Sequence, residues 1–310
     1  MQVVYFPDAP RPKWPYPVVA LGNFDGLHRG HQQLIDGVRR QARERAGTSV
    51  AMVFDPHPPR VLRPDKAPPL LMTLDQKIEA FERAGLDGVA VVRFTRELSR
   101  WEPELFVETV LIDWLRAAEV WVGANFLFGR DRSGTFTLLR ALGEDRGFRC
   151  EKIDPVRYKD FVVSSTRVRH LVAEGRVDEA GALLGHHYFV DGEVVHGDGR
   201  GRALGFPTAN LRTTNELLPA NGIYASMVAL GDTWHRAVTS VGVRPTIGDG
   251  RFTVETYILH GTHDLYGKRL RVAFVKYLRP EAAFDGLDAL TAQIALDCAE
   301  AEALFAQMAV

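Results

Sequence analysis

The chain has 310 residues, more than one small core usually organises, and its 46% apolar and 25% charged composition predicts a globular protein of two domains. No apolar run approaches the roughly 20 residues that cross a bilayer, and the N-terminus lacks a charged-then-apolar leader pattern, which argues against a membrane partner and against secretion. Net charge is −1, balanced over the first 185 residues and slightly acidic beyond, so nucleic acid is a poor partner.

Residues 18–21 read as a short buried strand. They run into Gly22-Asn23-Phe24-Asp25-Gly26-Leu27-His28-Arg29-Gly30-His31, and a helical pattern follows over residues 32–45. A helix start offers N–H groups and partial positive charge to an anion, glycines let backbone approach it, and histidines three apart share a face. That combination suits a polyphosphate; two solvated histidines at a helix start are the plain alternative. A second strand, 50–54, ends in Phe54-Asp55-Pro56-His57-Pro58, either a pocket wall or a simple strand-ending turn.

A helix over 74–84, a strand over 89–94, a helix over 103–117 and a strand over 120–123 continue the alternation. The rhythm predicts parallel βαβ units, an open sheet with helices on both faces, and ligands beyond the carboxyl ends of the strands. After the fourth strand, Asn125 stands beside Phe126 and Phe128, suited to a flat ring or to the core. Ser165 and Thr166 cap a short helix over 167–173, with Arg169 one turn on, an arrangement for terminal phosphates or for a solvated surface helix. Another short helix covers 177–184.

Beyond Gly185 the pattern changes to strands over 188–195, 223–230, 235–243, 252–260 and 270–277, joined by Gly/Pro-rich turns, then a helix over 287–305. That predicts a small antiparallel barrel. His196–Asn210 is dense in glycine (Gly199, Gly201, Gly205) with Arg202 among them; it is either a phosphate-covering loop or a flexible hairpin, and not a Walker A loop. Thr208 and Asn210 supply hard oxygens suited to Mg²⁺ with a nucleotide. Strand alternation puts Glu255 on the face of Thr253, Tyr257 and Leu259, as a base for an attacking alcohol or as a solvent-facing carboxylate. Cys150 and Cys298 fit no metal or redox spacing and read as reduced core thiols of a cytoplasmic protein.

The H-x-G-H pattern looks like the nucleotidylyltransferase signature. With FDPHP, GANFLFG, SSTRVR, GRGRALGFPTANL, ANGIYA, SVGVRPTIG, VETYIL and LYGKRLRV in this order, nearly the whole chain resembles the bifunctional riboflavin kinase/FMN adenylyltransferase family. The resemblance implies an α/β fold: a Rossmann-like nucleotidylyltransferase domain with a parallel sheet over 1–182, and a β-barrel kinase domain with a C-terminal helix over 183–310.

In the first domain it implies ATP at Gly22, Asn23, Phe24, Asp25, His28, Gly30, His31, Asn125, Ser165, Thr166 and Arg169. FMN would lie at Phe54, Pro56, His57, Pro58, Asn125 and Phe128. In the second it implies Glu255 as base, ATP at Gly199, Gly201, Arg202, Gly205, Thr208 and Asn210, Mg²⁺ at Thr208 and Asn210, and flavin at Arg244 and Thr246. Riboflavin, FMN, FAD and ATP are the implied substrates and products. Family members often carry Asp where this chain has Asn125 and Arg where it has Leu127. A member with one silent half, a cytidylyltransferase-like enzyme carrying a nucleic-acid-binding barrel and a non-catalytic flavin-binding regulator are the alternatives.

Overall fold

Short Val/Ala/Leu runs between amphipathic helices build the first half around one parallel sheet. A computed structural model describes residues 1–197, 201, 204–243, 252–261 and 263–308, in two compact units, Met1–Ser164 and Ser165–Val310. The first contains β1 (Gln2–Phe6), β2 (Pro17–Leu21), α1 (Arg29–Glu44), β3 (Thr48–Asp55), α2 (Pro58–Leu62), α3 (Leu74–Arg83) and β4 (Gly88–Arg93). There follow α4 (Pro103–Phe106), β5 (Glu119–Val122), α5 (Phe136–Arg146), β6 (Arg149–Lys152) and a small hairpin, β7 (Arg157–Tyr158) with β8 (Phe161–Val162).

The six-stranded sheet has the order β1-β4-β3-β2-β5-β6, and every pairing is parallel. The chain winds outward from β2 through β3 and β4, then returns to the other side of β2 with β5 and β6. The order therefore reverses between β2 and β5, the point of an open parallel sheet at which ligands generally bind beyond the carboxyl ends of the strands. All five residues of β2 are buried, as a central strand covered on both faces requires.

The expected helix over 103–117 is present as one continuous helical run to Trp114, in which the four residues of α4 lead directly into a π-helical segment, Val107–Trp114. The helix after the signature starts at Arg29, three residues earlier than the apolar pattern indicates, because His28 caps it. β1, α2, α5, β6, the β7–β8 hairpin and β10 of the second unit (Ala209–Thr213) are not among the elements expected from sequence.

The second unit opens with α6 (Ser165–Ala173) and α7 (Val177–Leu184). A closed antiparallel barrel follows: β9 (Tyr188–Val195), β10 (Ala209–Thr213), β11 (Gly222–Leu230), β12 (Thr233–Val243), β13 (Phe252–Ile258) and β14 (Arg269–Arg279), ordered β10-β13-β12-β11-β14-β9. The closing helix α8 (Leu287–Gln307) lays Ala301 and Phe305 on Ala225, Val238, Leu259 and Val275 of the barrel wall. On the opposite face of the strands, Ser226, Thr239 and Thr256 form a buried hydroxyl chain with spacings of 2.7 and 2.9 Å, satisfying each other across β11, β12 and β13. Cys150 and Cys298 are free thiols, half-buried at the margins of the two cores.

Candidate active sites

At the sheet's switch point, β2 delivers the turn Gly22–His31 and β5 delivers Gly123–Gly129. His28 is the N-cap of α1: its Nδ1 accepts from the His31 backbone N–H at 3.3 Å. A neutral His28 therefore carries its proton on Nε2 and can donate from there. The two imidazoles stack, with centroids 3.6 Å apart and planes 12° apart. His28 is 7% exposed, and His31 is packed so that its Nδ1 is buried without a hydrogen-bond partner. Solvent still reaches part of the His31 residue, yet its ring is held well below the usual imidazole pKa, by burial first, then by His28 and by Lys77.

The turn is anchored from below. Phe24 is fully buried and touches His31 (5.1 Å between centroids) and Phe81 of α3 (5.3 Å). Asp25, 1% exposed, accepts from the backbone N–H groups of Leu71 and Met72 at 3.1 to 3.2 Å. Asn23 is exposed, and Gly22 and Gly30 are half-buried.

The predicted flavin residues separate into core and rim. Phe54 is half-buried against Phe94 and Phe106, and Phe128 is buried between Phe106 and Phe126. His57 is buried at the start of α2, with Pro56 exposed and Pro58 half-buried. Asn125 and Leu127 are exposed on the loop after β5. In the second unit, Ser165 and Arg169 are half-buried on α6 and Thr166 is exposed.

The barrel assembles its own group. Asn210 on β10 lies directly opposite Glu255 on β13, which in turn faces Ser240 on β12. Opposed residues on paired strands share a face at about 5 Å between Cβ atoms, so Asn210 and Glu255 stand side by side. The Asn210 amide fills the space that a Cβ on Gly197 would need, and the Thr208 hydroxyl comes within 3.1 Å of one on Gly201. Only glycine lets that strand-to-strand loop pass so close.

Hydroxyl and amide oxygens cradled this way are hard donors and fit Mg²⁺ carried by a nucleotide. Among the described residues, no group of three or more His, Cys, Asp or Glu could hold a metal ion. Gly205 is exposed in its turn, while Gly199, Arg202, Arg244 and Thr246 lie outside the described residues.

Two residues near these sites were missed from sequence. Glu281, just after β14, lays its carboxylate over Gly242 of β12, where a side chain would collide with it. Burial pushes the Glu281 carboxyl pKa up, Glu255 adds to this and Arg279 opposes it. Lys77 occupies a core-facing position of α3 and is 4% exposed. A lysine spaced i+3 from Leu74 and i−4 from Phe81 interrupts an apolar stripe, a signal open to sequence reading.

The FAD synthetase family profile matches residues 11–167, and the riboflavin kinase profile matches residues 184–305. The bifunctional riboflavin kinase/FMN adenylyltransferase of Escherichia coli K12 is 37% identical over 281 residues, 90% of each chain. The protein of that name from Pseudomonas fluorescens is 38% identical over 94% of each. A solved structure described as a macrolide-efflux protein from Streptococcus pneumoniae matches with a TM-score of 0.85 and 28% identity, over 96% of this chain and 97% of its own. It shares the fold; efflux is that protein's own description. On both profiles and on relatives matched over 90% or more of each chain, the chain belongs to the family of bifunctional riboflavin kinase/FMN adenylyltransferases, with FAD synthesis in the N-terminal half and riboflavin phosphorylation in the C-terminal half.

Proposed function

We propose that the two activities are carried by the residues described above, with the functional boundary at residues 182/183. The observation that carries this reading is the spatial pairing in each unit: His28 stacked on His31 at the sheet's switch point, and Asn210 beside Glu255 on the barrel wall.

In the kinase, Glu255 accepts the proton of the ribityl 5′-hydroxyl as its oxygen attacks the γ-phosphorus of ATP; ADP leaves and FMN forms. Thr208 and Asn210 would hold Mg²⁺ with the nucleotide. When bound, the metal neutralises charge on the phosphates. Gly201 and Gly205 would cover the phosphates, a role the resemblance extends to Gly199 and Arg202, as it extends flavin binding to Arg244 and Thr246.

In the adenylyltransferase, the FMN phosphate attacks the α-phosphorus of a second ATP and pyrophosphate departs. The nucleophile is already an anion, so no strong base is needed and catalysis is positioning with charge stabilisation. His28 and His31 donate to the α-phosphate oxygens, and Gly22, Asn23 and Gly30 give backbone access to ATP. Phe24 and Asp25 hold that turn. The resemblance assigns the departing pyrophosphate to Ser165, Thr166 and Arg169; the FAD synthetase profile takes in the first two. Phe54, Pro56, His57, Pro58, Asn125 and Phe128 shape the flavin side. Nucleic acid has no place in either reaction, and the free thiols suit the cytoplasm.

Separate assays of the two steps test the assignment. His31→Ala is expected to abolish FAD formation from supplied FMN while FMN formation from riboflavin stays at the wild-type rate. Glu255→Ala is expected to do the reverse. FAD formation intact in the first variant, or riboflavin phosphorylation intact in the second, would sink the corresponding half.

A further inference from the structure

We propose that Glu281 is a substrate-binding residue of the kinase site: its carboxylate, on the barrel face that carries Glu255, accepts hydrogen bonds from the secondary hydroxyls of the ribityl chain whose terminal hydroxyl is phosphorylated. The inference deepens the kinase reading and rests on Glu255 as the base.

Strand register places the two carboxylates. Asn210, Glu255, Ser240, Ile223 and Arg279 oppose one another in turn across β10, β13, β12, β11 and β14, so they form one row on one face of the barrel wall. Gly242 lies two residues past Ser240 and opposite Thr253, in the next row of that face. Glycine leaves this point without a side chain, and the Glu281 carboxylate fills the gap: a Cβ on Gly242 would lie 2.9 Å from its Cδ and 3.0 Å from its Oε2. Gly242 and Glu255 are diagonal neighbours, about 7 Å apart.

The chain is pinned just before Glu281. Arg279 donates to both carboxylate oxygens of Asp297 on α8 at 2.7 Å and to the Pro280 carbonyl at 2.9 Å. The planar guanidinium thus fixes the exit of β14, and the ring of Pro280 narrows the turn that follows. Glu281 itself is exposed, so the outer side of its carboxylate is open to an incoming hydroxyl, while the side against Gly242 loses water. That burial raises its pKa first, and the charge of Glu255 raises it further, as expected of two carboxylates on one face.

The ribityl chain carries the terminal hydroxyl, which reacts at Glu255, and secondary hydroxyls on the carbons behind it. A span of about 7 Å between diagonal positions is one that an extended polyol bridges with a few of its carbons. A carboxylate can accept from neighbouring hydroxyls with both oxygens, and bonds to an ionised acceptor are the strong ones. One carboxylate takes the proton of the reacting hydroxyl; the other holds the chain so that this hydroxyl meets the phosphorus. A side chain without secondary hydroxyls leaves the second carboxylate unmatched, and a site built to hydrogen-bond a hydroxyl rejects the analogue that lacks it.

The test measures kcat/KM for phosphorylation of riboflavin and of a flavin whose side chain keeps only the terminal hydroxyl, in the wild type, Glu281→Ala, Glu281→Gln and Gly242→Ala. The wild type is expected to favour riboflavin. Glu281→Ala is expected to lower kcat/KM for riboflavin roughly 30-fold and that for the analogue less than about two-fold. Glu281→Gln, which keeps an acceptor without the charge, is expected to fall between wild type and Glu281→Ala. Gly242→Ala keeps the charge but displaces the carboxylate, and is expected to lose the preference for riboflavin as Glu281→Ala does. FAD formation from supplied FMN stays at the wild-type rate in all three variants.

Equal losses on both flavins, no loss on either, or a wild type that does not distinguish them overturns the proposal. Should Glu281→Ala fail to fold, Glu281→Gln and Gly242→Ala carry the same comparison. Glu255→Ala separates the two levels: phosphorylation intact there removes the kinase reading itself. Phosphorylation of both flavins lost in Glu255→Ala, beside an unchanged preference in Glu281→Ala, removes only the role of Glu281.

Discussion

At the residue scale, the buried groups of the first unit carry a pH signature. His31 has its pKa depressed in the folded chain, while in the unfolded chain it titrates near 6.5. The unfolded state therefore binds more protons below that value. The stabilising contribution is complete above about pH 6.5 and is lost as pH falls from there towards the folded pKa. Four of the five tryptophans, Trp14, Trp101, Trp114 and Trp121, lie in the first unit and report its unfolding by urea.

The stability difference between wild type and His31→Gln is expected to shrink between pH 7.5 and pH 5. A difference that holds constant across that range contradicts a neutral, buried His31. The signature spacing makes the histidine pair legible in sequence, but their stacking and the capping by His28 depend on a helix boundary three residues from where the apolar pattern starts. Lys77 and Glu281 reach their sites through long-range packing, which motif order does not encode.

At the element scale, the floor of the sheet depends on one buried carboxylate. Glu119 begins β5 at 2% exposure and accepts from the Tyr16 hydroxyl at 2.9 Å, Gln41 of α1 at 2.8 Å and the Trp121 ring N–H at 3.3 Å. Arg45 and Arg149 stand within 3.9 and 4.0 Å and compensate its charge from the surface. These bonds tie β5, α1 and the approach to β2 at the end opposite the active site.

Glu119→Ala leaves three half-buried donors without their acceptor and is expected to cost about 3 kcal/mol in the urea unfolding of the first unit. Loss below about 0.5 kcal/mol contradicts that account. The central strands β2, β3, β4 and β5 were readable because burial on both faces demands continuous apolar runs. The edge strand β6, Arg149–Lys152, has only one of its four residues even half-buried and gives no such run. β10 starts only at the end of the glycine-rich stretch and has five residues, and α5 buries only Leu139 and Gly143, too narrow a stripe for periodicity to show.

At the scale of the whole molecule, the chain joins two architectures with opposite sheet logic, one parallel and open, the other antiparallel and closed. The sequence marks the change near Gly185 because helix-length spacers between strands disappear there, and strand-to-strand turns cannot build a parallel sheet. Each architecture brings its candidate site together from residues far apart in sequence: β2 and β5 flank the first, and β10, β12 and β13 carry the second. The product of the barrel's reaction is the substrate of the sheet's reaction, so a single chain supplied with riboflavin and ATP makes both flavin nucleotides.

The most direct test is a time course with riboflavin, ATP and Mg²⁺ in which riboflavin, FMN, FAD, ADP and pyrophosphate are separated chromatographically. The account predicts that FMN rises first and FAD follows, with ADP released in the first step and pyrophosphate in the second. FMN accumulating without FAD would contradict an active first unit and turn attention to Asn125 and Leu127. No conversion of either riboflavin or supplied FMN would contradict the assignment of catalysis to both sites.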